Sequence, residues 1–273
     1  MKFPMQLKPT GSAGSIIDHQ PLATDHCRPN SPWSSFLLVL LAGLAVCPPI
    51  SRGADSDLYQ LNVNPYHPIT DQLSMFGNFG CAENSDSMKY RFGWPGLIYR
   101  VEPWLQLWGG LDSYYTANDN SADTLELRPF AGVKVFYHNQ AKILLYNFTR
   151  YEYRAVENVD THDWSNYSRI RSRFGLEAPL TSRARAWEAK TFYLLTDVEP
   201  FYRFDTDEWD PVRLRGGLGY ILNDRVRIEF IYTAEFTRSS PGSSLAYADN
   251  AFELNFKIAL SKGVLGQLFN PGD

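Results

Sequence analysis

Between Ser168 and Leu260 the chain alternates polar and apolar residues with a period of two. Arg169, Arg171 and Arg173 are interleaved with Ile170, Phe174 and Leu176, and Arg225, Arg227 and Glu229 with Val226, Ile228 and Phe230. Successive side chains of a strand point to opposite faces, so the pattern predicts β-ribbons with one charged and one apolar face. Period-two runs bounded by Gly, Pro, Asn and Asp predict ten strands, near 71–80, 87–101, 103–116, 124–137, 141–154, 167–179, 189–204, 211–222, 225–237 and 250–260. No amphipathic helix competes with them. Most of these runs are longer than ordinary globular strands and reach the ~9–11 residues with which a tilted strand crosses a bilayer.

The joins between the runs alternate in length. Short turns are predicted at Glu102-Pro103, at 138–140 and at Asn223-Asp224, and longer connections at 81–86, 117–123, 155–166, 205–210 and 238–249; the 180–188 join departs from this rhythm. Short turns at one end and long loops at the other, with both termini on the short side, is the layout of an antiparallel up-and-down transmembrane β-barrel. The expected fold is therefore all-β, a barrel of about ten strands, with eight and twelve as the neighbouring counts, and a charged lumen.

The apolar face carries Leu125, Leu127, Val133, Phe192, Leu194, Val198, Leu214, Leu218, Phe252, Leu254 and Phe256, with charges only near strand ends. A charge facing lipid costs about 2–4 kcal/mol at the bilayer midplane and little at the interface, so this distribution points the apolar face to lipid. Tyr115, Tyr137, Tyr151, Tyr153, Tyr202, Phe204, Tyr220 and Tyr232 gather near strand ends like aromatic girdles. The opposite face carries Arg128, Arg150, Arg169, Arg171, Arg173, Glu177, Glu199, Arg213, Arg215, Arg227, Glu229 and Glu253, the expected lumen charge network. The planar five-donor guanidinium holds carboxylates bidentately, so a narrow lumen can be filled with ion pairs in place of hydrocarbon. On this facing, Leu214→Arg should block membrane assembly and Arg215→Leu should be better tolerated.

Composition changes the picture mainly at the N-terminus. The 273 residues carry a net charge of −4, which argues against nucleic acid as a partner. Phe36–Val46 is an apolar run too short to span a bilayer as a helix and reads as a secretory h-region, preceded by an unusually long polar stretch. Cleavage is expected after Gly53; a lipoprotein reading would instead use Leu44-Ala45-Val46-Cys47. The domain plan is a leader at 1–53, an N-terminal extension at 54–70, the barrel at 71–260 and a tail at 261–273. Cys27 and Cys47 would leave with the leader, so Cys81 is expected to remain without an internal disulfide.

Pro103-Trp104-Leu105-Gln106, the Glu126–Pro129 strand, Arg169–Glu177, Arg215–Tyr220 and Arg227–Tyr232 together resemble a family of Gram-negative outer-membrane β-barrels known as a domain of unknown function. The resemblance covers roughly residues 70–260. It implies location and fold and supplies no activity. The chain departs from such barrels at its end, where Phe252 to Leu260 is followed by a tail instead of a terminal aromatic; Phe256 and Leu260 are candidates for an internal version of that assembly signal.

The residues offer little chemistry. Asp160, His162, Asp163 and Ser165 supply the elements of a Ser/His/Asp site in one connection, although neighbours in sequence do not define a triad. Neither a metal-spaced His/Cys/Asp cluster nor a phosphate-cradling glycine loop is apparent, and no cofactor is expected; Gly216-Gly217-Leu218-Gly219 lies within a strand. Acidic residues such as Glu83, Asp86, Asp119, Asp123, Glu157 and Asp205 mark the longer connections and could meet divalent cations bridging lipopolysaccharide. The reading is an integral outer-membrane barrel with a structural, binding or narrow-pore role. Its partners are outer-membrane lipid and lipopolysaccharide, with the barrel-assembly machinery during biogenesis. The alternatives are a soluble periplasmic barrel binding an apolar ligand, and a lipid hydrolase or protease with a site at the extracellular rim.

Overall fold

The structure, a computed structural model, describes residues 57–139, 143–181, 187–238 and 243–269. The leader with its cleavage site, Cys27 and Cys47 lie outside the described residues, as does most of the 180–188 join. All ten expected strands are present: β2 (Leu73–Glu83), β3 (Ser87–Glu102), β4 (Leu105–Asn118), β5 (Thr124–Tyr137), β6 (Leu144–Asn158), β7 (Trp164–Pro179), β8 (Thr191–Arg203), β9 (Glu208–Ile221), β10 (Val226–Arg238) and β11 (Leu245–Ala259).

An eleventh strand, β1 (Asp57–Pro68), corrects the count. It occupies most of the segment expected to be an extension before the barrel. Gln60, Asn62 and Asn64 alternate there with Leu61 and Val63, but prolines at 65 and 68 obscure the run, because proline gives no donor to a ladder. The missing donor falls in a gap: pairing with β2 runs to Val63–Phe79 and resumes at Tyr66–Phe76.

The sheet closes into a barrel in which β1 pairs with β2 on one side and β11 on the other. Ten seams are antiparallel; the β1–β11 seam is parallel, from Asp57–Asn250 to Tyr66–Ala259. An odd number of up-and-down strands can close in no other way, and it puts the start of β1 and the end of β11 at opposite ends of the barrel. The expectation that both termini lie on the short-turn side is thereby overturned.

The long–short rhythm of the joins also gives way. β6 runs to Asn158 and β7 starts at Trp164, while β9 starts at Glu208 and β11 at Leu245. About half of the residues in the connections expected to be long are thus strand, and among the joins fully described none exceeds five residues. The longest join, 180–190, sits at the other end. Asn and Asp explain the economy: Asn158 accepts the backbone N–H groups of Asp160 and Thr161, and Asn223 those of Arg225 and Val226, closing turns within a few residues.

After β11 the chain reverses through Gly263, whose φ of +79° lies in the left-handed region. It then forms a short helix, α1 (Val264–Phe269), within the expected tail. Val264, Leu265 and Leu268 are buried in one cluster with Tyr66, Phe76, Ile98 and Phe130. Gln106, itself fully buried, donates from Nε2 to the Leu268 carbonyl at 3.1 Å. An apolar plug therefore sits at this end, called the helix end below; the other is the rim end. No helix among the described residues is long and apolar enough to cross a membrane.

Candidate functional site

The pleat sorts the side chains as their alternation suggests. β8 is the clearest case: Thr191, Tyr193, Leu195, Asp197, Glu199 and Phe201 are buried inside, while Phe192, Leu194 and Val198 are exposed outside. Around the barrel the exposed outer set includes Leu111, Val133, Phe174, Leu214, Leu218, Phe230 and Leu254. Aromatic side chains flank this belt, with Tyr99, Trp104 and Tyr137 toward the helix end and Tyr115, Tyr153, Trp164 and Trp209 toward the rim end. One polar patch interrupts the outer face: Asn147, Thr149 and Ser172 hydrogen-bond to one another at 2.7–3.0 Å.

The inner face is an ion-pair lattice, and register decides who meets whom. Glu152 on β6 lies directly across from Arg169 on β7, and Arg150 directly across from Arg171. Two guanidiniums opposite one another repel, so the lattice closes diagonally. Glu152 receives Arg169 at 2.7 Å and Arg171 at 3.0 Å and also pairs with Arg150. Asp197 faces Arg215 and takes it bidentately at 2.9 and 2.8 Å. Glu199 receives Nε and Nη2 of Arg173, both at 3.1 Å, and Glu126 binds Arg128 and Arg154. Arg213 pairs with Glu235, and the Thr233 hydroxyl donates to Glu253 at 2.8 Å. Nearer the helix end, Glu229 binds Lys257 and accepts the Tyr193 hydroxyl at 2.6 Å.

Aromatic rings separate these charges and hold the guanidiniums flat. Phe201, fully buried, is surrounded by Arg169, Arg171 and Arg213 at 4.8, 5.5 and 5.0 Å from its centroid. Phe130 lies under Arg150, and Tyr114 under both Arg91 and Arg128. Arg227 lies over Trp187. Gly219 of β9 makes room for a further inward ring: a Cβ there would fall 2.1 Å from Tyr193.

All twelve residues expected to form the lumen charge network point inward, and Arg128, Arg150, Arg169, Arg171, Glu177, Glu199, Arg227 and Glu229 are buried. Asp112 was not anticipated. It is buried, binds Arg91 at 2.8 Å and accepts from Asn78 at 3.1 Å; its signal was its place in period two with Gln106 on β4. Asn62 and Asn255, which hydrogen-bond across the parallel seam at 2.7 Å, were missed with β1.

The rim candidates do not assemble into a relay. His162, its side chain 78% exposed, places Nδ1 2.9 Å from Glu157, and the Ser165 hydroxyl is directed at the Val156 carbonyl. The backbone N–H of Asp160 bonds Asn158 and that of Asp163 bonds Thr161. These are the bonds of a tight turn, and His162 adopts a φ of 59° within it. Among the described residues no group of three His, Cys, Asp or Glu could hold a metal ion. In the full chain Cys81 is disulfide-bonded; the expectation of a lone thiol concerns the chain after loss of residues 1–53, and that leader lies outside the described residues.

Within and beside the lattice the lumen keeps two cavities of about 200 and 360 Å³. The smaller lies against the plug residues Tyr66, Phe76 and Phe130; the larger lies toward the rim end, where Lys89, Arg154, Arg213 and Glu235 line it. Arg91, Arg150, Arg171, Arg173, Arg215 and Glu253 border both. Fold and interior together define a closed β-barrel with an ion-paired, partly hollow lumen. The chain belongs to the family described as "Protein of unknown function (DUF2490)", whose match spans residues 63–246. No curated protein matches it.

Proposed function

We propose that this chain is an integral outer-membrane β-barrel of Gram-negative bacteria, with a polar chamber inside that is closed at one end. The observation that carries the reading is the inversion of the usual globular arrangement: ion pairs inside, with a belt of exposed Leu, Val and Phe outside, between two aromatic zones. In water such a continuous apolar surface would drive association; in a bilayer it is solvated. A closed barrel leaves no lipid-exposed strand edge, and the hydrogen bonds among Asn147, Thr149 and Ser172 satisfy the polar groups of the outer patch internally. Strands of 11–16 residues exceed what a tilted crossing needs. Outer-membrane lipid and lipopolysaccharide are then the surrounding partners, with the assembly machinery needed for insertion.

The interior favours a binding or structural role over an open pore. An eight-stranded barrel is filled by its side chains and aqueous channels appear near sixteen strands, so eleven strands fall on the filled side. The α1 plug adds a barrier. The alternative, a soluble periplasmic barrel around an apolar ligand, meets cavities whose walls are mostly guanidinium, carboxylate and amide; apolar side chains such as Phe76, Trp108 and Phe130 line only part of the smaller one. The test is fractionation of the protein expressed with its leader in a Gram-negative host. It should stay with outer membranes through carbonate and high salt and leave only with detergent; release by carbonate alone would favour the periplasmic reading.

A further inference from the structure

The larger cavity is unequally charged. Ten cationic side chains line it against four carboxylates, Glu199, Glu235, Asp249 and Glu253. The carboxylates of Asp112, Glu126, Glu152 and Asp197 stand behind its wall, paired to arginines of that wall, and still leave an excess of two positive charges. The donors are also incompletely used. Arg150, at least nine-tenths buried, has an Nε with no hydrogen-bond acceptor, although its Nη2 pairs with Glu152; the Nε of the equally buried Arg171 lies 3.0 Å from Glu152 but without the alignment of a hydrogen bond. Arg91 has a third such Nε, and Lys89 at the mouth makes no ion pair among the described residues. Buried donors left unbonded are costly unless water or a ligand satisfies them.

From this geometry we infer that the chamber binds a phosphate-bearing dianion, held where Arg91, Arg150, Arg171, Arg173 and Arg215 converge from β3, β6, β7 and β9. A phosphomonoester or diphosphate supplies two negative charges and several acceptor oxygens, which matches the excess charge and the free N–H groups. The chamber volume of about 360 Å³ lies at the small end of the range for small-molecule sites. Entry would be from the rim end, since the plug closes the other. The site is independent of whether the outer face meets lipid, so it can be tested in detergent micelles while the membrane reading is tested by fractionation.

The phosphate could belong to a soluble ester or to a lipid headgroup, and a closed barrel wall favours the soluble source. Isothermal titration of the folded, detergent-held barrel with inorganic pyrophosphate, and separately with dihexanoyl phosphatidic acid, distinguishes the two. Pyrophosphate should bind at 50 mM salt with a Kd below 1 mM and weaken as salt rises. Arg150→Gln and Arg171→Gln should each weaken it at least tenfold; Glu152 keeps two other arginines after either change, so the lattice stays neutralised. Lys89→Gln, which breaks no ion pair among the described residues, should weaken it by a smaller factor, and Arg100→Gln, whose side chain bonds the Asp71 carbonyl at the helix end, should leave it unchanged. Absence of pyrophosphate binding by the unaltered barrel would overturn the inference. So would binding that survives the arginine changes, or binding of the lipid alone.

Discussion

Replacing Leu214 by arginine separates a lipid-facing belt from a water-facing one. Leu214 lies midway along β9, 46% exposed on the outer face, with Val198 and Ala234 as its cross-strand neighbours. If that face is in hydrocarbon, the guanidinium should cost about 2–4 kcal/mol, or roughly 30- to 900-fold in the folding equilibrium. In water the same exposed change should fall within about 0.5 kcal/mol of zero. The depth control is Leu222→Arg, equally exposed but just beyond the end of β9, where the cost should drop to about 0–1 kcal/mol. Urea titrations of folding into phosphatidylcholine vesicles would read both changes. Equal costs at the two positions, or a Leu214→Arg cost indistinguishable from zero, would refute the reasoning.

Arg215→Leu, the change that alternation alone ranks as mild, should instead be severe. It strips the bidentate partner from Asp197, whose side chain is 3% exposed, and should cost about 3–5 kcal/mol in the same titration; a cost below 1 kcal/mol would show that Arg173 at 3.7 Å suffices. Glu152→Gln should destabilise by a similar amount, since it leaves three guanidiniums without their shared anion. Truncation after Leu260 should raise planar-bilayer conductance by removing the α1 plug; unchanged conductance would place the barrier in the ion lattice. At the rim end, the Tyr115 hydroxyl and the Asn118 N–H hold the Asp123 carboxyl below its ordinary 3.8. That depressed value makes its bonds a stabilising contribution present above about pH 4 and lost as pH falls through the lowered value, so amide exchange in 119–123 should quicken in acid in the unaltered chain but not show this acid step in Asp123→Asn. His162→Ala should leave any phospholipid or peptide hydrolysis unchanged, and loss of such an activity would restore the rim as a catalytic site.

What the sequence made legible was the part of the fold that period two encodes. Ten strands and the inward set of arginines follow from alternation, because a pleat leaves a side chain only two directions. β1 was hidden because Pro65 and Pro68 read as strand breakers, and only the gap in the β1–β2 ladder shows how Pro65 is accommodated. With β1 missed, the parallel seam and the placement of the termini were missed too. Loop length was overread because polar, aromatic strand ends such as Trp164–Asn166 and Leu245–Asp249 look like loops once they project beyond a core. The pairing of Glu152 with three arginines needs register across β6 and β7, which no single strand carries. Helix α1 is too short and glycine-bearing to announce itself in the tail.

The central claim, grease to lipid and charge to the lumen, can be read directly by placing a tryptophan on the belt. Phe174 is half exposed on the outer face, across from Val198. In vesicles whose acyl chains are brominated near mid-chain, the emission added by Phe174→Trp, taken as the difference from the unaltered protein, should be strongly quenched and should resist aqueous acrylamide. Added emission that acrylamide quenches and brominated lipid does not would contradict the account.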